Sequence, residues 1–178
     1  MRTQFLELGL LTLAVTAQQS STPPSIALDW GTWQSQVDAS DTKLYAWSNV
    51  RFADEPPRFG KSSFPKGHNP ASTVDACIQP QRGNSAADIP RIHVPGDGVP
   101  QGEDCLGLDI YAPVDNFDDN GQPIDKLPVV VWIYGGGFIF GSKRQDPSIP
   151  LYTGQSIVAA AGYKAVYVAG NYRLGALG

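Results

Sequence analysis

Residues 127–134 read LPVVVWIY and run directly into Gly135, Gly136 and Gly137. This junction constrains the fold of the chain more than any other feature. The apolar run is built from β-branched and aromatic residues. Pro128 and the glycines limit it to the length of a strand rather than a helix. A strand with no polar alternation is expected to be buried on both faces, as in a parallel sheet covered by helices. Residues 154–162 can form a short helix through Ile157, Val158 and Ala161, and residues 165–169 (AVYVA) read as a second buried strand. Strand, helix, strand in that order predicts a βαβ crossover and an α/β architecture.

Upstream, residues 25–34 and 43–50 are rich in branched and aromatic residues with partial alternation. They predict two short strands joined by a polar turn around Asp38 to Asp41. Residues 51–70 carry Pro56, Pro57, Pro65 and Pro70, which oppose a helix. Residues 78–104 hold four prolines, four glycines and no aromatic side chain, so they read as a loop. Leu106, Leu108 and Ile110 alternate with Gly107 and Asp109, the pattern of a half-buried strand. Residues 116–126 form a polar, acidic connection, and no internal repeat is visible.

The 178 residues suffice for about one domain. Hydrophobic residues make up 42% and charged residues 17%, a globular composition. A net charge of -4 with scattered Lys and Arg gives no basis for nucleic-acid binding. Residues 1–17 read as a secretory signal: Arg2 is the positive start, residues 6–15 are mostly apolar despite Glu7, and Val15-Thr16-Ala17 offers a cleavage site. Residues 18–178 are then the exported part. The apolar run is too short to span a bilayer, so no transmembrane segment is expected. The expected location is extracellular. Two cysteines remain, Cys77 and Cys105; in an exported protein they form either a disulfide or two separate buried thiols. No Asn-x-Ser/Thr acceptor occurs. No His or Cys cluster has metal spacing, and no cofactor is implied.

The three glycines leave backbone N–H groups bare after a buried strand. Such donors suit a developing oxyanion. They also suit a phosphate, or they simply make a tight turn. Neither G-x-G-x-x-G nor G-x-x-x-x-G-K-[ST] is present, and Gly141-Ser142-Lys143 does not complete one.

Several segments, in order along the chain, resemble the type-B carboxylesterase/lipase family, the cholinesterase-like α/β-hydrolases. Residues 129–141 (VVVWIYGGGFIFG) are similar to its oxyanion loop. Residues 103–113 (EDCLGLDIYAP) resemble its second signature, with Cys105 at the family's disulfide position. Residues 171–178 (NYRLGALG) resemble the strand end before the nucleophile, and residues 48–59 (SNVRFADEPPRF) resemble an early proline motif. The resemblance implies the N-terminal part of an α/β-hydrolase fold: a mixed, mostly parallel central sheet with preceding antiparallel strands. It implies Gly136 and Gly137 as oxyanion-hole donors, Gly135 as the residue shaping the turn, and a Cys77–Cys105 disulfide.

The resemblance also implies a serine acyl-enzyme mechanism on a small ester or lipid substrate, without a cofactor. The chain contains no G-x-S-x-G; Gly154-Gln155-Ser156 comes nearest, but Val158 stands in place of the last glycine. His68 and His93 precede the glycines and cannot be the triad base in the family's order. They are expected to be surface loop residues, and the carboxylates to be solvated. The expectation is therefore a chain ending before the nucleophile and inactive alone. The alternatives are a non-catalytic binding or adhesion module, or a product without function.

Overall fold

The computed structural model describes residues 22–66, 74–79, 99–144 and 153–178. The signal-like residues 1–17, His68, His93 and most of the loop at 78–104 lie outside them.

The stretch expected to be one strand at 25–34 is a tight hairpin of two, β1 (Ser25–Leu28) and β2 (Gly31–Gln34), paired antiparallel. Asp29 and Trp30 make the turn. The reason lies across the molecule: Trp30 Nε1 donates to the Arg51 carbonyl at 2.8 Å, and Trp33 Nε1 to the Asn49 carbonyl at 3.1 Å. The chain folds back so that both indoles reach the same neighbouring strand. Next come β3 (Gln36–Val37) and β4 (Leu44–Arg51). The polar turn between them is held by Asp38, whose Oδ1 accepts from the N–H groups of Ser40 and Asp41, both at 2.9 Å.

Two short strands, β5 (Ala76–Cys77) and β6 (Gln101–Gly102), pair in parallel and bracket the proline-rich loop. The strand after them is β7 (Gly107–Pro113). Then follow β8 (Val129–Trp132), α1 (Gly154–Ala160) and β9 (Val166–Gly170). Thr153 caps α1, its hydroxyl accepting from the Ser156 N–H at 3.2 Å.

The main sheet has the order β3-β4-β7-β9-β8. β8 and β9 are parallel, as a βαβ unit requires, and the other three pairings are the antiparallel strands expected to precede it. α1 lies on β7 and β9. A Cβ on Gly154 would come within 2.6 Å of both the Tyr111 and Tyr167 rings, so the helix start packs directly on the sheet. Val158, Leu44, Tyr167 and Ala169 form the core beneath α1. Trp33, Tyr45, Trp47, Val50 and Ala112 form a second core; along β4, Leu44 belongs to the first and Tyr45 to the second, so the two lie on opposite faces.

Two expectations fail here. β8 was expected to be buried on both faces, yet Val131 is 66% and Ile133 75% exposed, with Val129 and Val130 also exposed. Among the described residues β8 is the last strand of the sheet and only β9 flanks it. In β7, the polar position is the buried one: Asp109 is 3% exposed, while Leu108 and Ile110 are only half-buried. A bulge in β4 between Trp47 and Val50 explains it. Asn49 there takes φ 56 and turns its N–H to Asp109 Oδ1 at 2.9 Å.

Candidate active site

The glycines leave β8 at the end of the parallel pair, next to the end of β9. Gly136 and Gly137 both have positive φ, 128 and 63, and Phe138 follows at 60. A Cβ on Gly136 would sit 1.8 Å from the Phe140 carbonyl oxygen, which only glycine avoids. The turn closes as the Gly136 carbonyl accepts from the N–H groups of Ile139 at 3.1 Å and Phe140 at 3.3 Å. The Gly136 and Gly137 N–H groups meet no backbone acceptor among the described residues, and Gly135 and Gly137 are exposed. Among the described residues the turn therefore leaves these two N–H groups without a backbone acceptor, Gly137 exposed and Gly136 half-buried.

Both ends of the turn are anchored. At the entrance, Tyr134 is buried and stacks on Tyr172, ring centroids 4.2 Å apart and 12° from parallel. At the tip, the Phe138 carbonyl accepts from the Gly175 N–H at 2.7 Å, and the Phe138 ring meets Tyr172 edge-on at 6.3 Å. At the exit, Lys143 is buried with its Nζ 2.6 Å from Asp109 Oδ1 and 4.0 Å from Asp75. Arg144 adds contacts to Asp75 at 3.0 Å and Asp109 at 3.3 Å. Burial pushes the Lys143 ammonium below its ordinary value, and the Asp109 carboxylate opposes that shift.

Asn171 completes the exit. Its Oδ1 accepts the Lys143 N–H at 2.8 Å, and its Nδ2 donates to the carbonyls of Asp75 at 3.0 Å and Cys105 at 3.1 Å. Cys105 is bonded to Cys77 with S–S 2.03 Å and Cα atoms 5.0 Å apart. The disulfide is packed among Ala53 and Leu106. Beside it, Arg51 holds Asp104 through two bonds of 2.6 Å. That pairing, ahead of burial, which opposes it, raises the Arg51 pKa.

Sequence reasoning located the glycines and both cysteines but missed Asp109, Lys143, Asn171 and Gln79. The carboxylates as a class were expected to be solvated, and Asp109 is a correction. A lone Asp inside an apolar strand was the available signal, because buried carboxylates need a partner. Ser156, in the nearest approach to a nucleophile motif, is spent on the helix start: its N–H donates to Thr153 Oγ1 and its hydroxyl lies 2.7 Å from the same oxygen. No group of three His, Cys, Asp or Glu able to hold a metal occurs among the described residues. No described helix is long and apolar enough to cross a membrane.

Comparison with known proteins matches this arrangement to esterases. A secreted lipase of Arthroderma benhamiae is 46% identical over 76 residues, 43% of this chain and 15% of that protein. Pyrethroid hydrolase Ces2a of Mus musculus is 33% identical over 153 residues, 81% of this chain and 25% of that protein. The crystal structure of Aspergillus niger EstA matches at a TM-score of 0.61 and 26% identity, covering 88% of this chain and 27% of that one. The chain thus spans about a quarter of the length of the mouse and Aspergillus proteins. Its sheet is the corresponding part of their α/β-hydrolase fold. The carboxylesterase family profile matches residues 23–178, which is nearly all of the described chain, and on that extent this protein belongs to the carboxylesterase family.

Proposed function

We propose that this chain supplies the oxyanion-binding turn of a secreted carboxylic ester hydrolase. The carrying observation is the pair of N–H groups on Gly136 and Gly137, without a backbone acceptor among the described residues, at the end of a parallel strand in a carboxylesterase-family sheet. When a serine attacks an ester carbonyl, negative charge collects on the former carbonyl oxygen. Donors already in place bind that charge better than they bind the neutral ester, which lowers the barrier. Gly135 shapes the approach, and the stacked tyrosines and the Lys143–Asp109 pair hold the turn rigid.

The 178 residues contain no G-x-S-x-G, and neither histidine follows the glycines. The reading for these residues is therefore confined to the oxyanion-binding turn, and a nucleophile, acid and base are not assigned among them. The mechanism needs no cofactor. Export is supported by the signal-like residues 1–17, the Cys77–Cys105 disulfide, and similarity to a protein named as a secreted lipase.

The test is to read the coding sequence past Gly178 and express the complete product. An elbow Ser and a later His, with aryl-ester turnover abolished by a serine-directed phosphonate, are the expected results. A replaced elbow Ser with no turnover would overturn the reading in favour of a binding module.

A further inference from the structure

Gln79 lies two residues beyond Cys77 and is 7% exposed. Its side-chain amide reaches one backbone residue 62 positions away. Oε1 accepts the Gly141 N–H at 2.8 Å, and Nε2 donates to the Gly141 carbonyl at 3.0 Å. Nε2 also lies 3.3 Å from the Cys77 carbonyl, which fixes the orientation of the amide. A strand neighbour normally supplies such a two-point match. Here one side chain does, and it must carry both a donor and an acceptor.

Gly141 closes the glycine turn. At its φ of 124 a Cβ would lie 2.5 Å from the Tyr134 ring and 2.6 Å from the Gly135 carbonyl oxygen. The last residue of the turn thus rests on its first. Displacing Gly141 displaces Gly135, and with it the N–H groups that follow.

We propose that Gln79 is a positioning residue for the oxyanion donors, acting through Gly141 and touching no reacting atom. This rests on the reading of Gly136 and Gly137 as those donors. The backbone of Gln79 is itself held: its N–H donates to Gln101 Oε1 at 3.2 Å, and Cys77 is tied to Cys105. The Gln79 amide therefore ties the disulfide loop directly to Gly141, beside the bridge that Asn171 makes from the Cys105 carbonyl to the Lys143 N–H.

The experiment uses the full-length protein that carries this chain. Gln79→Met keeps the length and removes both polar atoms. Gln79→Glu keeps the shape but sets an acceptor against the Gly141 carbonyl. Both are expected to lower kcat by roughly ten- to hundredfold, the scale of a small misplacement of catalytic groups. KM should stay within about twofold, because the lost interaction is made in the transition state. Hydrogen exchange in a peptide covering residues 134–141 should quicken. The kcat of Gln79→Glu relative to the unmodified enzyme should rise as pH falls, since a protonated carboxyl again donates and accepts. That ratio is internal to one folded variant, so it survives any loss of yield. Unchanged exchange at 134–141, or a Gln79→Glu deficit independent of pH, overturns the proposal. Faster exchange with unchanged kcat leaves the hold on Gly141 intact and overturns the assignment of Gly136 and Gly137 as donors.

Discussion

Tyr134 and Tyr172 bond each other reciprocally. The Tyr134 hydroxyl donates to the Tyr172 carbonyl at 3.0 Å and accepts the Tyr172 N–H at 3.2 Å, while the Tyr172 hydroxyl donates to the Tyr134 carbonyl at 2.7 Å. Two strand ends that leave the sheet side by side are thereby paired by side chains where the ladder stops. Tyr134→Phe keeps the stacked ring and the bond from the Tyr172 hydroxyl, but removes the partner of the Tyr172 backbone N–H and carbonyl. It should cost about 1–3 kcal/mol in urea unfolding.

The same pair carries a pH signature. Burial pushes the Tyr134 phenol from 10.0 up to about 12. The folded state then resists ionisation that the unfolded state permits. The contribution is complete below pH 10 and is lost as pH rises toward 12. Stability measured across that interval should fall more steeply for the unmodified chain than for Tyr134→Phe, and parallel curves would refute the assignment.

The Lys143–Asp109 pair predicts a large and non-additive loss. Asp109→Ala leaves a buried ammonium without its nearest partner and should cost about 3–5 kcal/mol. Adding Lys143→Met should recover part of it, which a double-mutant cycle by denaturant titration reads directly. Lys143 is already pushed down by burial, so the Asp109→Ala deficit should shrink as pH approaches 10.5, where the lysine sheds its proton in the unfolded state too.

Reducing the Cys77–Cys105 bond frees a loop with a sequence separation of 28. The chain-entropy treatment gives roughly 3.6 kcal/mol for a loop of this size. Thermal unfolding with and without a thiol reductant should show that loss, and peptide mapping without reductant should show both thiols linked.

What was legible in the sequence follows from local chemistry. The run at 127–134 read as a strand because Pro128 and the glycines bound it, and the strand is Val129–Trp132. The helix at Gly154–Ala160 and the strand at Val166–Gly170 were equally marked by their periodicity. What was not legible depended on distant partners. The hairpin at Asp29–Trp30 exists because two indoles reach Asn49 and Arg51. Asp109 is buried because a bulge some sixty residues earlier turns the Asn49 N–H toward it. Gln79 gives no local signal, since its whole role is a contact with Gly141.

Substrate choice gives a prediction from the loop at 78–104. A cation over an aromatic face gains about 0.5–2 kcal/mol, the usual way to hold choline. The loop has no Trp, Tyr or Phe. The full-length protein should hydrolyse a choline ester no better, in kcat/KM, than its uncharged isostere, and a clear preference for the charged ester would count against this.

The sheet order β3-β4-β7-β9-β8 reverses the order in which its last two strands are made. Val129–Trp132 leaves the ribosome before Val166–Gly170, the strand it pairs with among the described residues. At about 5–20 residues per second, the intervening stretch takes roughly 2–7 s to synthesise. Throughout that interval Val129, Val130 and Val131 lack the β9 ladder that pairs them in the folded chain. A vectorially emerging polypeptide of this design depends on whatever shields it while it waits, whether a translocation channel or a holding chaperone.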